Sequence, residues 1–362
     1  MSAPLRTIGS ICDVKTGKLD ANASSENGAY PFFTCSKDPL RIDTYSYEAE
    51  CVLVAGNGDL NVKYYNGKFD AYQRTYIITL KKDISNISVK YLYAFFLLYV
   101  NTLREKSIGG VIKYIKLGDI TEARVPIPSL TEQTRIVDEL DLLAGIINKQ
   151  KTQLKELDVL THSVFYEMFG DPVVNNKKWK TDTLKSVAPQ KQYEGAIPSI
   201  DGKYWLLNLD MIESQTGCIL GKVLFSASEI GNSTTTFDTS NVLYSKLRPY
   251  LNKVVVPDAI GYATSELIPL RPDKGILDRV FLANLLRSKA FVDYISVKVA
   301  GAKMPRVSMD VLRNFPIILP PLSLQQAFAQ KIQAIEDQKK AINQAIKETQ
   351  ALFNYTMDKY FG

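Results

Sequence analysis

SLTEQTRIVDELDLLAGIINKQKTQLKELDVLTHSVFYEMFG (Ser129–Gly170) and PLSLQQAFAQKIQAIEDQKKAINQAIKETQALFNYTMDKYFG (Pro321–Gly362) superpose without a gap, 192 residues apart. Gln133 meets Gln325, Ile136 meets Phe328, Leu140 meets Ile332, and Phe169-Gly170 meets Phe361-Gly362. In the first stretch Ile136, Leu140, Leu143, Ile147, Gln150, Leu154, Leu157, Thr161, Val164 and Met168 step by four and three, a heptad seam. In the second the same places hold Phe328, Ile332, Ile335, Lys339, Ile342, Ile346, Thr349, Phe353, Thr356 and Tyr360, with Lys339 and Thr349 breaking the apolar row. Ser129 or Thr131 is positioned to cap the first helix, and Pro320-Pro321 opens the second.

Each stretch predicts one helix of about 38 residues, about 57 Å long at 1.5 Å per residue. A helix that long with a single apolar stripe needs a partner, and the nearest is its own repeat. We therefore expect Ile136, Leu140, Leu143, Ile147, Leu154 and Leu157 to pack on Phe328, Ile332, Ile335, Ile342, Ile346 and Phe353. The chain turns at Gly170-Asp171-Pro172, so the second helix must run back antiparallel to the first. The expected architecture is an antiparallel coiled-coil pair with a globular domain at each end, pseudo-twofold symmetric.

The repeat continues upstream with looser spacing. Cys51-Val52-Leu53 matches Asn241-Val242-Leu243, Tyr76-Ile77-Ile78 matches Glu266-Leu267-Ile268, Tyr91-Leu92 matches Phe281-Leu282, and Gly109 matches Gly301. Ala49–Leu80 and Ser240–Leu270 both read as strands, punctuated in the first half by Gly56-Asn57-Gly58-Asp59 and Asn66-Gly67, which are hairpin signals. A helix is expected after each, at Val89–Lys106 and Asp278–Lys298. The fold class is α+β, two copies of an α/β domain with a mixed or largely antiparallel sheet.

Composition narrows the function. Of 362 residues, 46% are hydrophobic and 23% charged, which suits a globular chain and excludes a disordered or collagenous one. The longest apolar run, Tyr91–Val100, is about half of the ~20 residues a membrane helix needs. The N-terminal MSAPLRTIGSICDV holds no signal-peptide core, so a cytoplasmic location and no membrane partner are expected. Residues 1–170 carry 20 Lys+Arg against 20 Asp+Glu, and residues 171–362 carry 24 against 18, so the net charge of +6 all lies in the second half. That excess permits nucleic-acid binding without demanding it. Cys12, Cys35, Cys51 and Cys218 have no C-x-x-C spacing and read as reduced thiols, with no zinc site.

No constellation for catalysis stands out. The only Pro-Pro is followed by Leu322, not by the aromatic of a methyltransferase loop, and Gly217–Lys222 is one residue short of a P-loop. Gly56-Asn57-Gly58 lacks the third glycine of a dinucleotide site, and the single histidine, His162, lies mid-helix without a nucleophile pattern. What remains is binding chemistry. Lys63, Tyr64, Tyr65, Lys68 and Arg74 in the first half correspond to Lys246, Arg248, Tyr250 and Lys253 in the second. Lys113, Tyr114 and Lys116 correspond likewise to Lys303 and Arg306, each group just after a glycine. Basic and aromatic residues on such loops pair with phosphates and read base edges, and their recurrence in both halves marks them as the candidate DNA-binding set.

These residues resemble the specificity subunit of type I restriction-modification systems, over nearly the whole length. The most specific parts are VPIPSLTEQTRIVDELD, the EMFGDP junction, FPIILPPLSLQQAFAQKI and YSKLRPYLNK. The resemblance implies two target-recognition domains, 1–128 and 170–320, each followed by a conserved long helix, 129–169 and 321–362. It implies a non-catalytic subunit that binds a bipartite, asymmetric double-stranded DNA target. The helix pair would set the spacer and dock two methyltransferase subunits, and two motor-nuclease subunits would complete a restriction enzyme. No cofactor is expected in this chain; S-adenosylmethionine, ATP and Mg would sit on the partners. Two rival readings are a coiled-coil interaction scaffold, which predicts no salt-dependent DNA affinity, and an enzyme with an unrecognised site. A modification-only system is a narrower variant of the main reading.

Overall fold

The structure, a computed structural model, describes residues 3–300 and 303–362. The chain folds as two compact units. Unit 1 is Met1–Lys151 with Gln344–Gly362, and unit 2 is Thr152–Asn343.

Unit 1 runs β1 (Leu5–Thr7), α1 (Ile8–Ile11), β2 (Cys12–Thr16), β3 (Tyr30–Phe33), β4 (Leu40–Ile42), β5 (Tyr47–Ala55), β6 (Val62–Ala71), β7 (Thr75–Leu80), α2 (Val89–Lys106), α3 (Leu117–Thr121), β8 (Arg124–Pro126) and the first part of α4 (Leu130–Phe169). Six strands form one sheet in the order β2-β7-β5-β6-β3-β4, antiparallel except where Phe32 of β3 lies parallel beside Asp70 of β6. Strand alternation sorts the apolar side chains onto two faces. Val52, Val54 and Ile78 pack with Tyr91, Leu92, Phe95 and Phe96 of α2. Cys51, Leu53 and Ile77 turn the other way, onto Phe33 and Phe69. The short β1–β8 pair, Leu5 opposite Pro126, ties the start of the unit to the entry of α4.

One expected turn is absent. Asn66-Gly67 lies inside β6, where Asn66 pairs with Glu50 and Gly67 with Ala49 of β5. Gly67 takes φ 141°, a value open to glycine, so the ladder absorbs the dipeptide instead of reversing there. The chain reversal between β5 and β6 is at Gly56–Asn61, closed by Ala55 N–H donating to Asn61 O at 3.0 Å.

Unit 2 repeats the plan with the last part of α4, β9 (Lys180–Thr183), α5 (Leu184–Val187), β10 (Lys203–Leu207), β11 (Leu224–Ser226), β12 (Thr234–Phe237), β13 (Val242–Ser245), β14 (Val254–Val255), β15 (Gly261–Thr264), β16 (Leu267–Leu270), α6 (Arg279–Arg287), α7 (Lys289–Ser296), β17 (Val299–Ala300), β18 (Arg306–Val307), α8 (Met309–Arg313), β19 (Pro316–Leu319) and the first part of α9 (Leu322–Phe361). Its strands split into a sheet β11-β10-β15-β12 and a sheet β14-β13-β16, and the β9–β19 pair stands where β1–β8 stands in unit 1. The single helix expected at Asp278–Lys298 is two. Ser288 breaks it: its backbone turns extended, and its hydroxyl accepts the Phe291 N–H to cap α7.

The long helices form as the heptads predict. Glu132 N–H donates to Ser129 Oγ at the start of α4. In unit 1, Arg135 of α4 meets Tyr360 near the far end of α9 at 2.9 Å. In unit 2, Phe165 and Phe169 near the end of α4 pack edge-to-face on Phe328 near the start of α9, at 5.7 and 5.2 Å. Within each unit the two helices are therefore antiparallel. Ile136, Leu140, Leu143, Ile147, Phe328, Ile332 and Ile335 are buried, while Leu154, Leu157, Ile342, Ile346 and Phe353 are half-buried.

The breaks in the seam have partners. Lys339 lies 2.7 Å from Asp158 of α4 and 2.9 Å from Glu336, with 15% of its side chain exposed. Burial pulls its pKa down, and the two carboxylates more than offset that, so it is held charged. Thr349 turns its hydroxyl onto the carbonyl of Ala345, 2.8 Å away. The FG endings also acquire a reason. Phe169 packs on Phe281 at 4.7 Å, and Phe361 packs on Tyr91 at 5.2 Å, so equivalent rings meet equivalent rings in the two units. Among the described residues, no helix is long and apolar enough to cross a membrane.

Candidate nucleic-acid interface

In unit 1 the β5–β6 reversal is clasped by the segment that precedes α3. Ile115 N–H donates to Gly56 O at 3.0 Å, and Gly58 N–H donates to Lys113 O at 2.9 Å. In unit 2 the loop after β13 is clasped in the same way. Val307 N–H donates to Lys246 O at 3.0 Å, and Arg248 N–H donates to Pro305 O at 2.8 Å. The repeat read from the sequence pairs Gly56 with Lys246 and Ile115 with Val307, so these are the same hydrogen bonds made twice. Gly58 and Arg248 occupy one position, and both are left-handed, at φ 69° and 49°. Glycine takes that conformation freely, whereas arginine is strained in it.

A second matched pair latches each clasp. Tyr76 donates its hydroxyl proton to Ile115 O at 3.2 Å. Glu266, its counterpart, accepts from Arg306 Nε at 3.1 Å and Nη2 at 2.9 Å, and lies 3.9 Å from Lys246. That hydrogen-bonded pairing pushes the Arg306 pKa up. Glu266 was legible only as an aligned position, because nothing in its neighbours Ser265 and Leu267 announces an ion pair.

The candidate residues of unit 1 fall into two groups. Arg74, Lys113, Tyr114 and Lys116 are exposed around the clasp. Arg74 lines a polar cleft of about 230 Å³ with Thr16, Gly56, Gln73, Tyr76 and Ile115. The Lys63–Lys68 run is divided by strand alternation. Lys63 lies at the clasp end of β6, its ammonium on Asn61 Oδ1, and its pKa is lowered by burial. Tyr64 turns toward α2: its ring is 6.1 Å from Tyr93 and its hydroxyl donates to Glu50 at 2.8 Å. Burial first, then Glu50, pushes that phenol up to about 12. Tyr65 faces the opposite way, 5.0 Å from Phe33. Lys68 lies 4.7 Å over the Tyr45 ring and 3.9 Å from Glu48, about 17 Å along the strand from Lys63 at 3.3 Å per residue.

In unit 2, Lys246 and Arg306 are held by Glu266, and Lys253 donates to Leu209 O at 2.6 Å. Arg248, Tyr250 and Lys303 are exposed. The side chains of Arg248 and Lys303 have no partner among the described residues. Gly301, matched to Gly109, lies outside the described residues.

Other reactive side chains do not assemble with these. His162 is half-buried on α4, and burial holds its pKa below the usual range. Cys12 and Cys51 are buried and their thiols are pushed up to about 12, by burial first; Cys35 is half-buried and Cys218 exposed. No group of three metal-ligating side chains occurs among the described residues.

Residues 5–157 and 229–349 match the family described as the type I restriction modification DNA specificity domain. The chain belongs to this family. The type I restriction enzyme EcoDI specificity subunit of Escherichia coli is 27% identical to it over 398 residues, covering 98% of this chain and 86% of that one. The MjaVIII specificity subunit of Methanocaldococcus jannaschii is 23% identical over 287 residues, covering 71% and 66%. The crystal structure of the S subunit of a type I system from M. genitalium shares the fold, with TM-score 0.63 at 14% identity over 99% of this chain and 96% of that one. A chain from a structure of type I complex assembly and conformational transition does so at TM-score 0.58, 17% identity, and 99% and 97% coverage. In this specificity chain, then, the duplicated clasp is the place to look for contact with DNA.

Proposed function

We propose that this chain is the non-catalytic subunit that gives a type I restriction-modification complex its DNA sequence. Each unit reads one half of a bipartite, asymmetric target through its clasp. The recognition domains are residues 1–128 and 170–320, and the helices 129–169 and 321–362 set the spacer and dock two methyltransferase subunits. S-adenosylmethionine is held by those subunits; ATP and Mg belong to two motor-nuclease subunits. The complex acts in the cytoplasm.

The observation that carries this reading is the clasp made twice with the same backbone bonds and different side chains. Equal scaffolds with unequal tips, Gly58 against Arg248 and Tyr76 against Glu266, are what two unlike half-sites call for. Exposed Arg74, Lys113 and Lys116 in unit 1, and Arg248 and Lys303 in unit 2, supply phosphate or base contacts. Lys63, Tyr64, Tyr65, Lys68, Lys246, Lys253 and Arg306 shape the same elements from within.

The test is to co-express the chain with its methyltransferase subunit and map N6-methyladenine across the host DNA. One bipartite motif, with unlike halves and a constant gap, is expected. A soluble complex that leaves the DNA unmethylated overturns the reading and favours a scaffold.

A further inference from the structure

Residues 107–114 of unit 1 form a loop whose tip is apolar and unprotected. Ile108 and Tyr114 exchange both backbone hydrogen bonds, at 3.0 and 2.9 Å, and close its base. Gly109 turns the chain at φ 119°, and a Cβ there would lie 2.6 Å from Ile112 O, so glycine is required. The base is anchored to the β5–β6 reversal through Gly58 and Lys113. The loop is thus braced at its root, yet Val111 at its tip is fully exposed and Ile112 is 62% exposed. Two adjacent β-branched residues held in water on a braced loop are costly unless something covers them.

Charge identifies what covers them. Between Glu105 and Asp119, which bound the segment, the chain carries Lys106, Lys113 and Lys116 and no acidic residue. Arg74 lies on the same clasp. A polyanion with an apolar feature within reach of its charges fits this surface, and duplex DNA offers one: the thymine 5-methyl group in the major groove.

We propose that Val111 and Ile112 are specificity-determining residues that contact thymine methyl groups in the half-site read by unit 1. This rests on the reading of the chain as a DNA-specificity subunit.

The test uses the full chain in complex with its methyltransferase. Its methylated motif is mapped first. Affinity is then measured for the target duplex and for duplexes in which each thymine of the unit-1 half-site is replaced in turn by deoxyuridine, which lacks only the methyl. The wild-type complex is expected to bind one or two of these about fourfold more weakly, the worth of one methyl-sized contact. Val111→Ala/Ile112→Ala is expected to bind the thymine duplex several-fold more weakly and to lose the difference between thymine and deoxyuridine. Both positions are exposed, so unchanged thermal unfolding is expected of the variant.

If no deoxyuridine duplex is discriminated, or if the double variant discriminates as the wild type does, the proposal is overturned while the specificity-subunit reading stands. Loss of methyltransferase from the purified complex on making the double variant would overturn it in favour of a protein contact. Absence of any bipartite motif would instead bring down the underlying reading.

Discussion

Gln325→Leu is expected to unfold unit 2 at markedly lower denaturant, although glutamine and leucine are similar in size. Gln325 is wholly buried at the start of α9. Its Oε1 accepts the Asp278 N–H at 2.9 Å, and its Nε2 donates to Ile276 O at 3.1 Å and to Pro320 O at 2.8 Å. Asp278 is itself the cap of α6, accepting from Val280 and Phe281 N–H groups. One side chain therefore ties the entry of α6 to the entry of α9. Leucine leaves one N–H and two carbonyls buried without partners. At about 1 kcal/mol net per bond, with part recovered from the extra apolar burial, the loss is about 2–3 kcal/mol. For a unit of roughly 200 residues that lowers Tm by about 5–12 °C. Trp179 and Trp205 both lie in unit 2, so tryptophan fluorescence in a urea titration follows this unit alone. Gln325→Glu provides the sharper control. It keeps the acceptor but aims a carboxylate at two carbonyls in a buried site, which raises its folded pKa above the unfolded value. Its stability relative to the wild type should be best below the unfolded pKa, about 4.3, and fall as pH rises through the folded one. A loss under about 0.5 kcal/mol for Gln325→Leu, or a flat pH profile for Gln325→Glu, would refute the reasoning, since neither fits a fully desolvated three-bond site.

Other consequences follow from the same structure. Lys339→Met strands Asp158 of α4, and a double-mutant cycle with Asp158→Asn should give a coupling of about 1 kcal/mol in urea unfolding; additivity would show that the pair contributes nothing. Arg248→Gly should raise stability by about 0.5–1 kcal/mol, by relieving its left-handed backbone, while weakening DNA binding and lowering the salt slope by about one unit; a destabilised variant with full affinity would contradict this. Alkylation at pH 8 should label exposed Cys218 and half-buried Cys35 and spare Cys12 and Cys51, whose thiols at about 12 leave about one thiolate in ten thousand; quick labelling of Cys51 in the folded chain would refute its burial. Deleting seven residues from both long helices in register should shorten the methylated spacer by about three base pairs, for about 10 Å of helix, and leave both half-sites unchanged; an unchanged spacer would sink the ruler.

The long helices were legible because their information is local. Apolar residues at steps of four and three define a stripe whatever the chain does elsewhere, and a gap-free repeat doubles the signal. The reason for each repeated residue was not legible. Gln133 and Gln325 align at once, yet their role depends largely on loops more than forty residues upstream: Gln133 accepts from Ser88 and donates to Asn86, and also to nearby Pro128. Asn66-Gly67 misled because a turn propensity worth about 1 kcal/mol competes with a ladder of eight β5–β6 pairs, and the ladder prevails. Lys339 looked like a flaw in a seam because its answering charge, Asp158, is on the other helix.

The candidate binding residues show the same limit from the other side. Residue type located the clasps in both halves, since basic loops recur at equivalent positions. It did not tell free cations from neutralised ones. Lys246 and Arg306 read as strongly as Arg248, and only the fold brings Glu266 against the first two and leaves the third open. Nor does charge point to Val111 and Ile112, because an apolar pair in a sequence is by default a core pair. Their exposure makes them informative. A braced, basic loop that keeps two β-branched side chains in water has the features that the proposed thymine contact requires, and the deoxyuridine series tests it.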